Sequence, residues 1–310
     1  MTRNARRRGG LLAAAGILAA GCGLSDQGGT HGEGGDHGRV IRVAAAENFW
    51  GSIAAQLGGS HVRVSSIITN PATDPHSYEP TAADARAIAG ARLVIENGAG
   101  YDPWVSRLLA ADQGTGLTVL DVAGRLKVPA GGNPHRWYRP ANVHAMVRWL
   151  AADFARLDPA DKEYFARRRA VFTSAGLAKY DELIAHIRAQ YAGTPVGASE
   201  SIFAMLAPAL GLKLITPPTF LRAISEGTDV SAADKKLTDD QIRRHLITIY
   251  VYNRQNITPD VQAQVTAARA AGIPVATITE TLTPPGDTFQ DWQIRQLEGI
   301  ASALAAAKRR

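Results

Sequence analysis

The chain has 310 residues, of which 45% are hydrophobic, so it is long enough to form two globular domains with a substantial core. Its net charge of +6 depends on a leader, because residues 1–21 contain four arginines and no acidic residue, which leaves +2 for the rest of the chain. Such a small excess of positive charge argues against a nucleic-acid-binding protein.

The first 22 residues have the pattern of a bacterial export signal. Arginines precede an apolar run from about Leu11 to Ala20, which is too short to span a bilayer as a helix. The run ends in LAAGC, which resembles the lipobox whose cysteine becomes the lipidated first residue of the mature protein. We therefore expect residues 1–22 to be a lipoprotein signal peptide and Cys22 to carry a membrane anchor. A secretory signal with an incidental cysteine is the alternative, and the export route, general or twin-arginine, stays open.

Cysteine usage restricts the chemistry further, since Cys22 is the only cysteine in the chain. The protein therefore has no intramolecular disulfide and no cysteine metal site. Residues 23–39 contain seven glycines and no aromatic residue, which predicts a flexible tether. Weak metal binding by this tether is an alternative that rests on four of its side chains, His31, Glu33, Asp36 and His37.

From Val40 onward, predicted strands alternate with predicted helices. In the first half, apolar or alternating runs predict strands at 40–46, 61–69, 91–97 and 118–122. Helices are predicted between them, at about 50–57, from Thr81, and at 102–111. Asp84 occupies the capping-box position relative to Thr81. Alternation of this kind predicts a parallel sheet that is covered by helices on both faces.

Two helices with apolar stripes follow, and the second begins near Pro159 and continues to Tyr191. A helix of about thirty residues is about 45 Å long, which is enough to bridge two domains. After Gly193 the alternation resumes, with strands predicted at 194–199, 212–216, 246–253 and 273–279 and helices at about 200–210, 259–271 and 288–307. Two further helical stretches are predicted before residue 246.

These elements predict an α/β protein with two lobes, each a parallel β-sheet flanked by helices, joined by a long interdomain helix. We place the N-terminal lobe at residues 40–158, the linking helix at 159–192 and the C-terminal lobe at 193–310. The two halves share an order of elements but no detectable sequence repeat.

Two polar loops place a histidine directly after a proline, in DPHSYEP (74–80) and NPHRWYRPAN (133–142). Proline fixes its own φ and forces the preceding residue into an extended conformation, so the following imidazole is held on a stiff loop. Neighbouring polar residues such as Asp74 or Asn133 can bond the loop backbone or the second imidazole nitrogen. The pattern indicates imidazoles that must point at one fixed place.

Four potential metal ligands each follow the carboxyl end of a predicted strand: His76, His135, Glu200 and Glu280. Ligands of open α/β sheets bind in the crevice outside these strand ends. If the two lobes face each other, two neutral imidazoles and two carboxylates form a site of formal charge −2, which a divalent cation neutralises. Because buried carboxylates are costly without a partner, we expect the empty site to be mobile or partly protonated.

The two histidine motifs, together with SESIF (199–203) and ITETL (278–282), resemble the metal-binding motifs of the ABC-transporter solute-binding proteins for zinc, manganese and iron. The resemblance extends over about residues 40–307. It implies that His76 and His135 are the first two metal ligands.

The same resemblance assigns the remaining ligands with two departures from the family pattern. Glu200 matches the glutamate form of the third ligand. Glu280 stands where the family usually has an aspartate, and Asp287 is the fallback for this fourth ligand. Arg136 follows a ligand where the family commonly has an apolar residue, so its charge would oppose metal binding unless the side chain points away.

The resemblance implies an extracytoplasmic, lipid-anchored, monomeric receptor that captures a divalent metal and delivers it to an ABC permease for import. It also implies a rigid link between the lobes. Mn²⁺, Zn²⁺ and Fe²⁺ all remain candidates: two carboxylates favour manganese and iron(II) relative to zinc, whereas intrinsic affinity favours zinc over manganese.

Two other functions compete with metal capture. A secreted metal-dependent hydrolase would use the same ligands but needs an open coordination position and a general base. The sequence contains no HExxH, no GxSxG and no phosphate-binding glycine loop, so we expect a protein that is not an enzyme. The third hypothesis is a surface adhesin or scaffold with a vestigial metal site.

Overall fold

The structure, a computed structural model, describes residues 40–111 and 116–309. The predicted signal peptide with Cys22 and the predicted tether at 23–39 lie outside these residues. Within the described ranges, none of the helices has the length and apolar character needed to cross a bilayer.

The first sheet contains four parallel strands in the order β2-β1-β3-β4. The strands are β1 Ile41–Glu47, β2 Val62–Ile68, β3 Leu93–Glu96 and β4 Thr118–Asp121. The helices of this lobe are α1 Asn48–Gly58, α2 Ala82–Ala89, α3 Pro103–Ala111 and the short α4 Val122–Arg125. The predicted capping box is confirmed, since the side chains of Thr81 and Asp84 each accept the other's backbone N–H.

Three successive helices lead from the first lobe to the second. Helix α5, Pro140–Leu157, is followed by α6, Lys162–Val171, and α7, Ala178–Tyr191. A π-helical turn joins α6 to α7, and its Leu177 N–H donates to the Phe172 carbonyl, 2.9 Å away. Phe172 and Leu177 are both buried, although five residues do not bring a side chain back to the same face of an α-helix. The π turn corrects this mismatch, so the side chains of Phe172 and Leu177 both face the core.

The second sheet repeats the topology of the first, in the order β6-β5-β7-β8. Its strands are β5 Pro195–Ala198, β6 Lys213–Leu214, β7 Tyr250–Asn253 and β8 Val275–Ile278. The accompanying helices are α8 Phe203–Leu206, α9 Pro218–Ser225, α10 Ala232–Arg243, α11 Pro259–Ala270 and α12 Phe289–Lys308. The predicted fold class, two lobes with parallel sheets and a long helical connection, is confirmed.

Two predicted elements in the second lobe are much shorter than expected. The helix predicted at 200–210 has only the four residues of α8, because Pro208 lacks an N–H and the chain continues in turns. The strand predicted at 246–253 is regular only from Tyr250. Its neighbour β5 starts with Pro195, which accepts from the Thr248 N–H, 2.8 Å away, but has no N–H to give in return.

The lobes are held together by packing and by hydrogen bonds. Helix α6 packs on α5 and α1 of the first lobe, whereas α7 packs on α12, which also contacts β8 and α1. The Asn48 amide exchanges two hydrogen bonds with the backbone of Leu282, each 3.2 Å long. The buried Tyr138 hydroxyl donates to the Thr279 carbonyl at 2.7 Å. These contacts fix the end of β8 against the first lobe, next to the two proline–histidine loops.

Candidate metal centre

His76 lies on a 3-10 turn, Pro75–Ser77, in the loop after β2. Asp74 caps this turn, because its carboxylate accepts the His76 N–H at 3.0 Å and the Ser77 hydroxyl at 2.7 Å. Asp74 therefore orders the backbone, and the imidazole is oriented by another group. The Nδ1 atom of His76 lies 3.3 Å from the Gly100 carbonyl oxygen, which can only accept a hydrogen bond.

His135 is fully buried and is fixed by Asn133. The Asn133 Oδ1 atom accepts from the His135 N–H at 3.0 Å and from its ring Nδ1 at 2.9 Å. The orientation of this amide is itself determined, because its Nδ2 donates to the Ser201 carbonyl at 2.7 Å. One side chain thus holds the backbone and the ring of His135 and links the loop to the second lobe.

Both imidazoles therefore carry their proton on Nδ1 and leave the Nε2 lone pair free. The Nε2 atoms of His76 and His135 are buried and have no hydrogen-bond partner among the described residues. Leaving a buried nitrogen without a partner is unfavourable. An imidazole whose Nδ1–H is bonded and whose Nε2 lone pair is bare has the arrangement of a metal-ligating histidine.

Glu280 completes a group of three at this point. It follows β8, and the N–H groups of Glu280 and Thr281 both donate to the Gln255 side-chain oxygen, at 2.7 and 2.8 Å. Its Oε1 lies 3.5 Å from the His135 Nε2. One atom from each of His76, His135 and Glu280 lies within 4.8 Å of the other two. Two imidazole nitrogens and a carboxylate oxygen at these separations fit a first-row divalent metal ion.

Glu200 lies beside this group but is not part of it. It is buried, and its Oε2 accepts from the Asn253 amide at 2.9 Å while its Oε1 accepts from the Ser225 hydroxyl at 3.3 Å. The same Asn253 amide is 3.4 Å from Glu280 Oε2, so it bridges the two carboxyl groups. Burial, followed by the charge of Glu280, raises the pKa of Glu200 to about 8.

The two carboxyl groups differ because only one of them faces the imidazoles. Burial by itself would raise the pKa of Glu280, but the neighbouring imidazoles of His135 and His76 outweigh burial and lower it. Burial lowers the pKa of His135, so this imidazole is neutral at pH 7. Near neutral pH, Glu280 is therefore the anion of the pair and Glu200 holds a proton.

Asp287, the fallback for the fourth ligand, and Arg136, which departs from the family pattern, are not among the three grouped residues. Asp287 pairs with Arg295. Arg136 is half-buried, and its Nε has no hydrogen-bond partner among the described residues. Burial, and then the charge of Arg139, lowers the pKa of Arg136, and the Arg136 charge is one cause of the lowered pKa of His135.

A buried layer of acids beneath the imidazoles was missed by sequence reasoning. Glu47, the last residue of β1, is fully buried, and burial and the neighbouring Asp102 raise its pKa well above 4.5. Asp102 accepts from the N–H groups of Asn97 and Gly98, both at 2.7 Å, and burial raises its pKa to about 7. Glu47 directly follows the strand predicted at 40–46, so the strand-end rule that indicated the other candidates could also have indicated this residue.

Tyr101 connects this layer to the imidazoles. Its ring is fully buried and meets the rings of His76 and His135 edge-on, with centroids 4.9 and 5.9 Å apart. Burial, and then the charges of Glu280 and Glu47, raise the pKa of Tyr101 well above 10. The aromatic contacts limit the rotation of both imidazoles.

Two cavities of about 400 and 430 Å³ meet at His76. His135 lines the first cavity and Glu280 lines the second, while Ser225 and Glu226 line both. The grouped side chains can therefore be reached from two sides of the cleft.

The chain is also similar to known proteins in its sequence and its fold. The family model described as the zinc-uptake complex component A, periplasmic, matches residues 43–303. The chain belongs to this family. All the described ligand candidates lie within the matched region.

Individual relatives are distant. The manganese ABC transporter substrate-binding lipoprotein PsaA of Streptococcus mitis is 21% identical over 293 residues, which cover 86% of this chain and 90% of PsaA. The manganese-binding lipoprotein MntA of Halalkalibacterium halodurans is 25% identical over 133 residues, 41% of this chain. That alignment spans 43% of MntA, and a putative metal-binding protein of Treponema pallidum is likewise matched over less than half its length.

Solved structures support the fold. The substrate-binding protein FpvC of P. aeruginosa, in complex with Ni²⁺, superposes with a TM-score of 0.69 at 20% identity, covering 86% of this chain and 97% of FpvC. At this level of identity the similarity establishes a shared two-lobe architecture.

The hydrogen bonds of Asn133 make a testable prediction about the site. Asn133→Ala removes the acceptor that keeps the proton on Nδ1 of His135, so metal affinity should fall about 10- to 100-fold, as is typical when the partner of a ligating histidine is lost. Asn70→Ala is the control, because it removes a similar turn hydrogen bond, from Ala72 N–H at 3.0 Å, without touching an imidazole. Isothermal titration with Zn²⁺ and Mn²⁺ measures both; equal affinities for the two variants would contradict the assigned role.

Proposed function

We propose that this protein captures a divalent transition metal ion outside the cytoplasm and delivers it to an ABC permease for import. The observation that carries the proposal is the pair of buried, unpartnered Nε2 atoms of His76 and His135, grouped with the Glu280 carboxylate. Membership of a periplasmic metal-uptake family supports the same function. So do relatives named as manganese-binding and as manganese ABC transporter substrate-binding lipoproteins.

His76, His135 and Glu280 are proposed as the first three ligands, with Glu200 as the fourth. Asn253 and Ser225 hold the Glu200 carboxyl group, which must lose its proton and turn to reach an ion. Its exchange of a hydrogen bond for a metal bond is favoured by the divalent charge, which neutralises two buried carboxylates. Asp287 is not proposed as a ligand, because it is paired with Arg295.

Mn²⁺ and Zn²⁺ are both proposed as cargo, with Fe²⁺ as the third candidate. Two imidazoles and two carboxylates form a donor set that is harder than an all-imidazole site, which favours Mn²⁺ and Fe²⁺ relative to Zn²⁺. The intrinsic affinity of such a site is higher for Zn²⁺ than for Mn²⁺. Metal availability outside the cell then decides which ion occupies the site.

The cellular context is part of the proposal. Cys22 is proposed to anchor the protein to the membrane through a lipid, with residues 23–39 as a tether and the protein acting as a monomer. We also propose two lobes, at 40–158 and 193–310, joined by a rigid linking helix at 159–192. The packing of α6 on the first lobe and of α7 on α12 supports this division.

Metal capture is favoured over the two alternatives. A hydrolase would need three ligands, a bound water and a general base, and three grouped ligands alone do not distinguish it from a carrier. The family match is the observation that favours a binding protein over an enzyme or an adhesin.

Alanine substitution of the histidines tests the proposal. His76→Ala and His135→Ala each remove a nitrogen donor, so tight binding of one Zn²⁺ or Mn²⁺ at the interlobe site should be lost while the protein remains folded by circular dichroism. His144→Ala is the control: this half-buried histidine pairs with Asp181, 3.0 Å away, and lies outside the group.

The readout is elemental analysis of the protein purified without added metal, followed by competition between Zn²⁺ and Mn²⁺. The proposal fails if both variants bind as many ions, and as tightly, as the unchanged protein. A protein that carries no metal after purification and binds neither ion tightly would also refute it.

Proton release provides a second test. Because the pKa of Glu200 is about 8, ion binding below pH 8 must displace a proton, and affinity should rise about tenfold per pH unit between about pH 6 and pH 8. Burial lowers the pKa of His135, so this imidazole adds less to the dependence than an ordinary histidine would. In Glu200→Gln, affinity should be weaker and its pH dependence flatter. Competition with a chelator of known pH dependence measures this, and a wild-type affinity that does not change with pH would contradict Glu200 as a ligand.

The proton on Glu200 also makes the free energy of unfolding depend on pH. Between about pH 4.5 and pH 8 the folded, metal-free protein keeps a proton on Glu200 that the unfolded chain has released. The free energy of unfolding contributed by this group therefore decreases as pH rises through that window, and bound metal restores it.

A further inference from the structure

A second group of metal-binding side chains lies at the corner between α5 and α6. One atom from each of His61, Asp158 and Asp161 lies within 4.8 Å of the other two. His61 ends the 3-10 turn Gly59–His61 that precedes β2, and Asp161 ends the 3-10 turn Pro159–Asp161. The group therefore joins the start of a strand to the start of the linking helix.

Two of these side chains are already ordered. The His61 Nδ1 lies 2.7 Å from Asp161 Oδ2. The His61 ring packs on Tyr164, with centroids 4.1 Å apart, and meets the edge of Phe165 at 6.0 Å. The Asp161 N–H donates to the Asp158 carbonyl at 3.3 Å, which keeps both acids on one turn. The imidazole and the two carboxylates are thus presented together by rigid backbone.

Asp158 has no counter-charge of its own. The residue is only 9% exposed, yet its carboxylate forms no hydrogen bond or ion pair with any described residue. Asp153, on the same side of the lobe and 5% exposed, pairs with both Arg125 and Arg156. Because no described cation pairs with the Asp158 carboxylate, its charge is open to a bound metal ion.

We propose that His61, Asp158 and Asp161 form a second, structural site for a divalent transition metal ion. A neutral imidazole and two carboxylates give a formal charge of −2, which one divalent ion neutralises. The ion binds between His61 Nδ1 and Asp161 Oδ2, and the ring proton moves from Nδ1 to Nε2, so the imidazole stays neutral. The two atoms separate from 2.7 Å to about 3.4 Å, the span across a tetrahedral ion with bonds of about 2.1 Å. Bound there, it ties the start of β2 to the end of α5 and the start of α6.

The experiment isolates this site from the interlobe site. In the His76→Ala/His135→Ala double variant, Zn²⁺ titration should still show one bound ion per chain, and saturating Zn²⁺ should raise the melting temperature. Adding Asp158→Asn should weaken the remaining binding at least ~10-fold, since a carboxylate ligand is lost, and remove the rise. Asparagine has the same shape and removes an unpaired charge, so the metal-free variant should melt no lower than its parent.

Asp181→Asn in the same background is the matched control. Asp181 pairs with His144 at 3.0 Å, but no second acid groups with this pair among the described residues, so its loss should leave the remaining Zn²⁺ ion unchanged. The inference is wrong if the double variant binds no Zn²⁺, or if Asp158→Asn leaves affinity and melting shift intact. Asp158→Asn alone should keep the interlobe ion, so failure here is distinguishable from failure of the proposed transport function.

Discussion

The protein brings two imidazoles and the Glu280 carboxylate together at one point, with the Glu200 carboxyl group beside them, and the two imidazole nitrogens that face this point have no hydrogen-bond partner among the described residues. Such an arrangement is unfavourable by itself, so every ligand must be fixed from behind by the fold. Gly100 and Asn133 hold the imidazoles of His76 and His135 through their other nitrogens. Gln255 holds the backbone on which Glu280 stands. Ordinary loop and sheet hydrogen bonds supply these anchors, and in the proposed site a metal ion is the missing partner.

The relative position of the lobes is the second requirement. Three contacts bring the strand ends of the second sheet to the loops of the first: Asn48 with Leu282, Tyr138 with Thr279, and Asn133 with Ser201. Because Asn133 both orients His135 and bonds across the cleft, ligand geometry and lobe position depend on the same side chain. The linking helix, with its π turn, packs on α1 and α5 through α6 and on α12 through α7.

Much of this arrangement could be predicted from local sequence, and the rest depends on tertiary contacts. Proline before His76 and His135 and the placement of Glu280 after a strand are visible in the sequence. The position of Glu200 is not, because its turn toward Asn253 and Ser225 depends on partners that are 53 and 25 residues away. The long helix was predicted as uninterrupted, since apolar spacing alone does not reveal where a π turn absorbs an extra residue.

The central claim is tested most directly by X-ray absorption spectroscopy of the protein loaded with one Zn²⁺ or Mn²⁺ at the interlobe site. The account predicts a shell with two imidazole nitrogens and carboxylate oxygens at about 2.0–2.2 Å for zinc. A shell with no imidazole scattering, or with a single imidazole, would show that the two histidine loops do not converge on the ion and would contradict the account.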